Sequence, residues 1–320
     1  MLGFLCLTSL VSGCDFGAQD DLHKTQLSGR TMGTSYHITL FNNKPISNSN
    51  ELRLGKEISG LLQVINLRMS TYRVDSQISQ FNNNASLDWF PVASDFLAVV
   101  KAAQKISKQT NGAFDITVAP LVEAWGFAKV SKTKIPSTKQ LELMKKAIGY
   151  KKLLFRNTPP ALKKSNKSLQ IDLSAIAKGF AVDKISEYLI SQDYKNFMVE
   201  IGGEVRVKGL AADAKQWRII IRNPKLDDPN IKQKTLLLSD KAVATSGNYL
   251  NYFIKNKIRY SHILDPTTLQ PKTQKAMSVT VLHDSAMMAD AYATALMVLG
   301  EKEGQRLADK LALEVYWEAP

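Results

Sequence analysis

The chain has 320 residues, of which 44% are hydrophobic and 22% charged, and a formal net charge of +13. That much apolar chain builds one large core or two modest ones, and it excludes a disordered or collagen-like protein. The basic balance admits nucleic acid, an anionic membrane surface or a phosphate-bearing ligand. However, the lysines (Lys151, Lys152, Lys163, Lys164, Lys167, Lys225, Lys232, Lys234) are dispersed without interleaved aromatics, so they read as a solvated surface and not as a nucleic-acid stripe.

Residues 1–13 are apolar and uncharged and end in Leu10-Val-Ser-Gly-Cys14. A short apolar run, small residues and a cysteine resemble a bacterial lipoprotein signal with its lipobox, and the run is too short to span a bilayer as a helix. The expectation is cleavage before Cys14, a lipidated (palmitate-bearing) first residue, residues 14–28 as a tether and residues 29–320 as the working domain. Asp15 after the cysteine points to the inner membrane, on its periplasmic side. No Lys or Arg precedes the run, unlike a usual secretory leader, so the alternatives are a true start upstream of Met1 or a buried apolar segment. The other cysteine, Cys6, leaves with the signal. The remaining chain then has no disulfide and no cysteine-based metal site or nucleophile.

Beyond the tether, Gly33 marks a turn and Tyr36 to Phe41 alternates as a strand. Leu52, Leu54, Ile58, Leu61, Leu62 and Ile65 recur at helical spacing over 51–67. A loop and short helix rich in hydroxyls follow, through Asn82. Phe96, Leu97, Val100, Ala103 and Ile106 predict a helix over 94–110 with Ser94 as its cap, ended by Asn111-Gly112. Pro120 suits the first turn of a short helix, and 137–148 reads as another.

Gln170 to Leu173 reads as a strand running through a sharp turn into a helix. Ser174 is the expected N-cap, with Lys178 and Gly179 in the first turn. Unpaired N–H groups at such a helix start suit an anion, and lysine adds positive charge; a plain capped connection is the alternative. Residues 196–200 and 204–208 form a predicted hairpin around Gly202-Gly203. Strands follow over 217–222, 235–239 and 242–245, then a turn at Ser246-Gly247-Asn248. A strand over 259–266 carries His262, and another covers 277–283. Ser285 caps a helix ending at Gly300; a helix over 302–311 and a strand over 313–317 close the chain. Consecutive strands with helices between them predict an α+β fold of mixed or antiparallel sheets.

Asp290 and Thr294 are four apart on a helix whose other residues are small and apolar. They share a face and offer the hard oxygens that Mg²⁺ takes. A hydrogen-bonded polar pair is the alternative, but an acid in that setting is costly unless paired or metal-bound. His262 is one of four histidines and is a candidate base or a structural residue. There is no P-loop, Gly-x-Ser-x-Gly elbow or His-Glu-x-x-His motif.

Several stretches in one order resemble the ApbE family of FAD:protein FMN transferases. They are Thr31-Met-Gly-Thr34, Met69-Ser-Thr-Tyr72, Gly112-Ala-Phe-Asp-Ile-Thr117, Ile171-Asp-Leu-Ser-Ala-Ile-Ala-Lys-Gly179, Glu200-Ile-Gly-Gly203, Ala244-Thr-Ser-Gly247, Ser261-His-Ile-Leu-Asp-Pro266 and Ala289-Asp-Ala-Tyr-Ala-Thr294. Each is weak alone, and the ordered set is specific. The resemblance implies a Mg²⁺-dependent enzyme that cleaves FAD, attaches FMN through a phosphoester to a Thr or Ser of a target protein, and releases AMP. Hydrolysis of FAD to free FMN and AMP by a periplasmic FAD-binding lipoprotein is the alternative.

The resemblance also implies site residues. Asp290, Thr294 and the Ala175 carbonyl would hold the metal. Met32, Tyr72, Ala113, Phe114, Asp115, Asp172, Lys178 and Ile263 would contact FAD, and His262 would be the base. The implied acceptors are subunits of membrane redox complexes of the Na⁺-translocating NADH:quinone reductase or Rnf type. Two positions depart from the pattern: no glycine soon follows Asp265-Pro266, and Ala293 stands where some members carry a second acid.

Overall fold

A hairpin, β1 (His23–Thr31) and β2 (Thr34–Asn42), begins a seven-stranded sheet. The computed structural model describes residues 22–128, 135–224, 233–249, 251–273 and 277–319. The expected signal and Cys14 lie outside the described residues. The expected tether is shortened by this hairpin, because from His23 onward the chain is a strand fully paired with β2. Alternating exposure along β1 shows why composition misled: a polar edge strand reads like a linker.

The sheet continues with β3 (Asn196–Ile201), β4 (Glu204–Lys208), β5 (Ala242–Gly247), β6 (Ser278–His283) and β7 (Glu314–Glu318). Order in the chain is order in space, and every neighbouring pair is antiparallel. The α+β expectation therefore holds. The turn expected at 246–248 begins later, since β5 runs on through Gly247 opposite Ser278.

Eight helices are described: α1 (Asn48–Met69), α2 (Gln77–Asn83), α3 (Ser94–Gln109), α4 (Ala119–Ala124), α5 (Thr138–Ala147), α6 (Ala177–Ser191), α7 (Ala286–Leu299) and α8 (Glu301–Leu311). The first six are strung between β2 and β3. Ser94 is the first residue of α3 and not its cap; Ala93 takes the cap position. A small three-stranded sheet of Phe90–Pro91, Leu153–Arg156 and Ala161–Lys164 lies within this excursion. It was not legible, because its strands are only two to four residues long.

α6 and α7 pack against each other and onto the sheet. Ile38, Leu40, Val199, Ala244 and Val281 from the sheet join Leu62, Phe96, Phe180 and Leu296 from the helices in the main core. Each fully buried side chain of this size contributes about 1.5–3 kcal/mol relative to exposure. The opposite face carries Phe41, Val205, Val207, Val243 and Leu282, covered by the hairpin of Trp217–Ile221 and Lys234–Leu238. A third, smaller core holds Leu121, Trp125, Ile148, Leu264 and Leu269.

Candidate active site

The close approach of α6 and α7 builds the centre of the site. A Cβ on Gly179 would lie 2.2 Å from the Ala286 carbonyl oxygen, so only glycine lets the helices meet here. α6 begins at Ala177, and Ile176, not Ser174, is its cap, without a side-chain bond. The expected strand before it is also absent. Residues 170–173 have no regular secondary structure; their partners are the Asn82 side chain, which bonds both the N–H and the carbonyl of Ile171, and the Ile116 carbonyl, which accepts from Asp172 N.

The helix start therefore leaves orphan N–H groups, and one of them, on Gly179, donates to Asp290 Oδ2 at 3.1 Å. The sequence-level anion seat is thus occupied in part by a carboxylate of the protein itself. Asp290 is 5% exposed, and burial raises its pKa against the opposing pull of Lys178. Lys178 Nζ lies 3.9 Å from Asp290 Oδ1 and 2.7 Å from Glu204 Oε1. Burial works to lower the lysine pKa, but the Asp290 and Glu204 carboxylates outweigh it and hold the ammonium charged.

Glu204, the first residue of β4, is a site residue that sequence reading missed. It is 3% exposed, its Oε2 has no hydrogen-bond partner among the described residues, and burial raises its pKa against the opposing pull of Lys178. Its sequence context, Glu204-Val-Arg-Val-Lys208, alternates charged and apolar residues and looks like a strand with one wet face. The signal present was its place directly after the Gly202-Gly203 turn (φ +57° and +100°).

Asp290, Thr294, Lys178, Glu204 and Ala175 open into one cleft of about 1600 Å³, shared with Tyr72, Ala113, Phe114, Asp115, Asp172, His262 and Ile263. The structure thus brings together every predicted site residue within the described chain except Met32. Met32 sits at the tip of the β1–β2 hairpin with φ +49° and packs against the main core, while its neighbours Thr34 and Ser35 reach the cleft.

Two of the assembled acids are already engaged. Asp115 Oδ1 accepts from Thr117 N and Oγ1, and its Oδ2 accepts from Tyr150 N, so it anchors the cleft floor. Asp172 Oδ1 accepts from Ser174 N, shaping the turn that leads to Ala175.

His262 lies in a bend between the strands Ile258–Ser261 and Leu264–Asp265, which splits the single strand expected there. Trp125, the C-cap of α4, fixes this segment: its ring stacks on Tyr260, and its Nε1 donates to the Leu269 carbonyl. The Asn251 carbonyl lies 2.9 Å from His262 Nδ1 and can only accept, so the proton sits on Nδ1 and Nε2 carries the lone pair. Burial lowers the pKa of the ring and keeps it neutral near pH 7.

The chemistry of the donor set fits a cation. With one ammonium between two buried carboxylates, the cluster carries one surplus negative charge unless a carboxyl keeps its proton. Among the described residues no group of three or more His, Cys, Asp or Glu side chains forms a metal cage. Asp290, Thr294 and a carbonyl would supply few protein ligands and leave room for water and phosphate, a set of hard oxygens compatible with Mg²⁺. A carboxylate–hydroxyl pair, a charged lysine and a neutral histidine in one cleft have the make-up of a group-transfer site for a phosphate-bearing substrate.

The comparisons agree with that class. The ApbE family profile matches residues 32–317. The chain is 43% identical over 301 residues to a FAD:protein FMN transferase of Vibrio cholerae, covering 94% of this chain and 87% of that one. Its fold matches the solved flavin transferase ApbE from Vibrio cholerae with a TM-score of 0.83 at 41% identity, covering 92% of this chain and 93% of that one. It also matches the Pseudomonas stutzeri flavinyl transferase ApbE in its apo form, with a TM-score of 0.85 at 31% identity and coverage of 95% and 93%. The chain belongs to the ApbE family.

Proposed function

We propose that this protein is a Mg²⁺-dependent FAD:protein FMN transferase, which cleaves the pyrophosphate of FAD and joins FMN through a phosphoester to a Thr or Ser hydroxyl of an acceptor protein. The observation that carries the reading is the neutral His262, with Nδ1 held by Asn251 and no partner on Nε2 among the described residues, in the same cleft as Lys178 and Asp290.

His262 Nε2 takes the proton of the acceptor hydroxyl. The hydroxyl oxygen bonds to the FMN phosphorus, the bond from that phosphorus to the bridging oxygen breaks, and AMP leaves with the electron pair. Lys178 lies against the pyrophosphate and offsets its charge. Asp290, Thr294 and the Ala175 carbonyl would hold Mg²⁺, which supplies charge neutralisation at the phosphates when bound. Tyr72, Ala113, Phe114, Asp172 and Ile263 line the cleft and contribute to FAD contact, and Asp115 holds the loop around them.

The acceptors in this reading are subunits of membrane redox complexes of the Na⁺-translocating NADH:quinone reductase or Rnf type. No helix among the described residues is long and apolar enough to cross a membrane. Attachment in this reading is instead a lipid on Cys14, at the periplasmic side of the inner membrane. Cys14→Ala should release the protein from the membrane fraction, and unchanged fractionation would refute the lipid anchor.

Transfer is tested by incubating the protein with FAD, Mg²⁺ and a candidate acceptor subunit. The expected result is flavin fluorescence that stays on the acceptor in a denaturing gel and is lost with chelator. Free FMN and AMP without a labelled acceptor would instead support FAD hydrolysis.

A further inference from the structure

Lys178 has two buried carboxylates within reach and lies against one of them. Its Nζ is 2.7 Å from Glu204 Oε1 but 3.9 Å from Asp290 Oδ1. The lysine stem is confined on one side by Gly202, where a Cβ would stand 3.4 Å from Lys178 Cδ and 2.8 Å from Thr34 Cγ2. Glu204 has no other hydrogen-bonded side-chain contact among the described residues, and its second oxygen is orphaned. Burying a carboxylate costs several kcal/mol, and a buried pair seldom returns that as net stability. The placement of Glu204 is therefore costly to the fold and calls for a task at the cleft.

We propose that Glu204 is a positioning residue: it holds the Lys178 ammonium away from Asp290, so that the Asp290 carboxylate stays open to a divalent cation. This rests on Asp290 being the cation's carboxylate, as argued above. Lysine is a point charge on a flexible four-carbon stem. Without Glu204, the nearest buried anion for that charge is Asp290, and rotation about the stem closes the gap. The ammonium then occupies the side of Asp290 that a cation needs, and binding must displace it. Glu204 acts through Lys178 and need touch neither the cation nor the substrate.

The two-residue relay predicts a coupling that neither direct ligation nor simple through-space charge produces. The probe is Mn²⁺ binding to the protein without FAD, read as loss of the free-ion electron paramagnetic resonance signal and reversed by Mg²⁺. Four proteins are compared: the parent, Glu204→Gln, Lys178→Met and the double variant. With Lys178 present, Glu204→Gln should weaken Mn²⁺ binding about tenfold, and in the Lys178→Met background by less than about twofold, a coupling of the size found for residues in contact.

A crystal structure of the Glu204→Gln protein should show Lys178 Nζ within hydrogen-bond distance of Asp290. Equal weakening in both backgrounds, no weakening in either, or Lys178 unmoved in the variant structure would each overturn the proposal. Absence of Mg²⁺-displaceable Mn²⁺ binding in the parent protein, or its persistence in Asp290→Ala, overturns the underlying cation assignment instead. The glutamine is isosteric with the glutamate, and an unchanged melting temperature shows that the comparison is between folded proteins.

Discussion

Two ion pairs join β4 to α6, two residues apart on the strand, and they differ in how completely they are satisfied. Arg206 Nη1 donates to Asp183 Oδ1 at 2.7 Å, and Asp183 also accepts from Ser285 Oγ, Ala286 N and Met287 N at the start of α7. Its carboxylate is filled by four donors and caps a helix. The second pair, Lys178 with Glu204, leaves one carboxylate oxygen without a partner among the described residues, and Asp290 beside it receives one backbone donor. A saturated buried charge builds the fold, whereas an unsaturated one waits for something to bind. The same strand and helix thus carry a structural rivet and, one turn of α6 away, an active site.

The widest separation comes from removing an acid from each cluster. Asp290→Ala should lower Mg²⁺-dependent FAD turnover by about a thousandfold or more, since a bound metal contributes several kcal/mol of charge stabilisation. Its melting temperature should move little, because a costly buried charge leaves with the side chain. Turnover near the parent level would refute the site reading of that cluster. Asp183→Ala should do the opposite. Losing a buried partner for Arg206 and the α7 cap should cost about 3–5 kcal/mol in urea denaturation, while the Mg²⁺ dependence of the protein that remains folded stays the same. A loss below about 1 kcal/mol would sink the distinction.

A smaller effect concerns the pH profile. Burial lowers the His262 pKa, and the base is the neutral ring. Protonation removes activity, so transfer should hold from pH 8 down to about the ordinary histidine value of 6.5 and fall only below it. The limb should vanish in His262→Asn. A limb above that value in the parent protein would show that His262 is not the group being titrated.

Much of this contrast was legible in part. The four-residue spacing of Asp290 and Thr294 on an otherwise small, apolar helix marked them, because helical geometry alone puts them on one face. The Gly202-Gly203 hairpin and the Ser285 cap followed from local backbone chemistry and stand in the structure. Ser174 failed as a cap because the chain makes an extra turn over 174–176 before α6 begins, a turn set by packing of the buried Ile176. Asp183 drew no notice as a polar residue within a helix. Its four donors come from residues more than twenty positions away in the chain.

Local sequence determined the helices, the Gly202-Gly203 hairpin, the α+β class and the ordered motifs that place the chain in its family. These depend on periodicity, caps and turn residues, which act over a few neighbours. Only the tertiary structure decided that both faces of β4 are covered. Glu204 and Arg206 alternate with valines in the manner of an exposed strand face, and nothing within that segment says that α6 lies over it. Burial depends on what the distant chain brings to the other side, and burial turned Glu204 from a surface charge into a partner of Lys178.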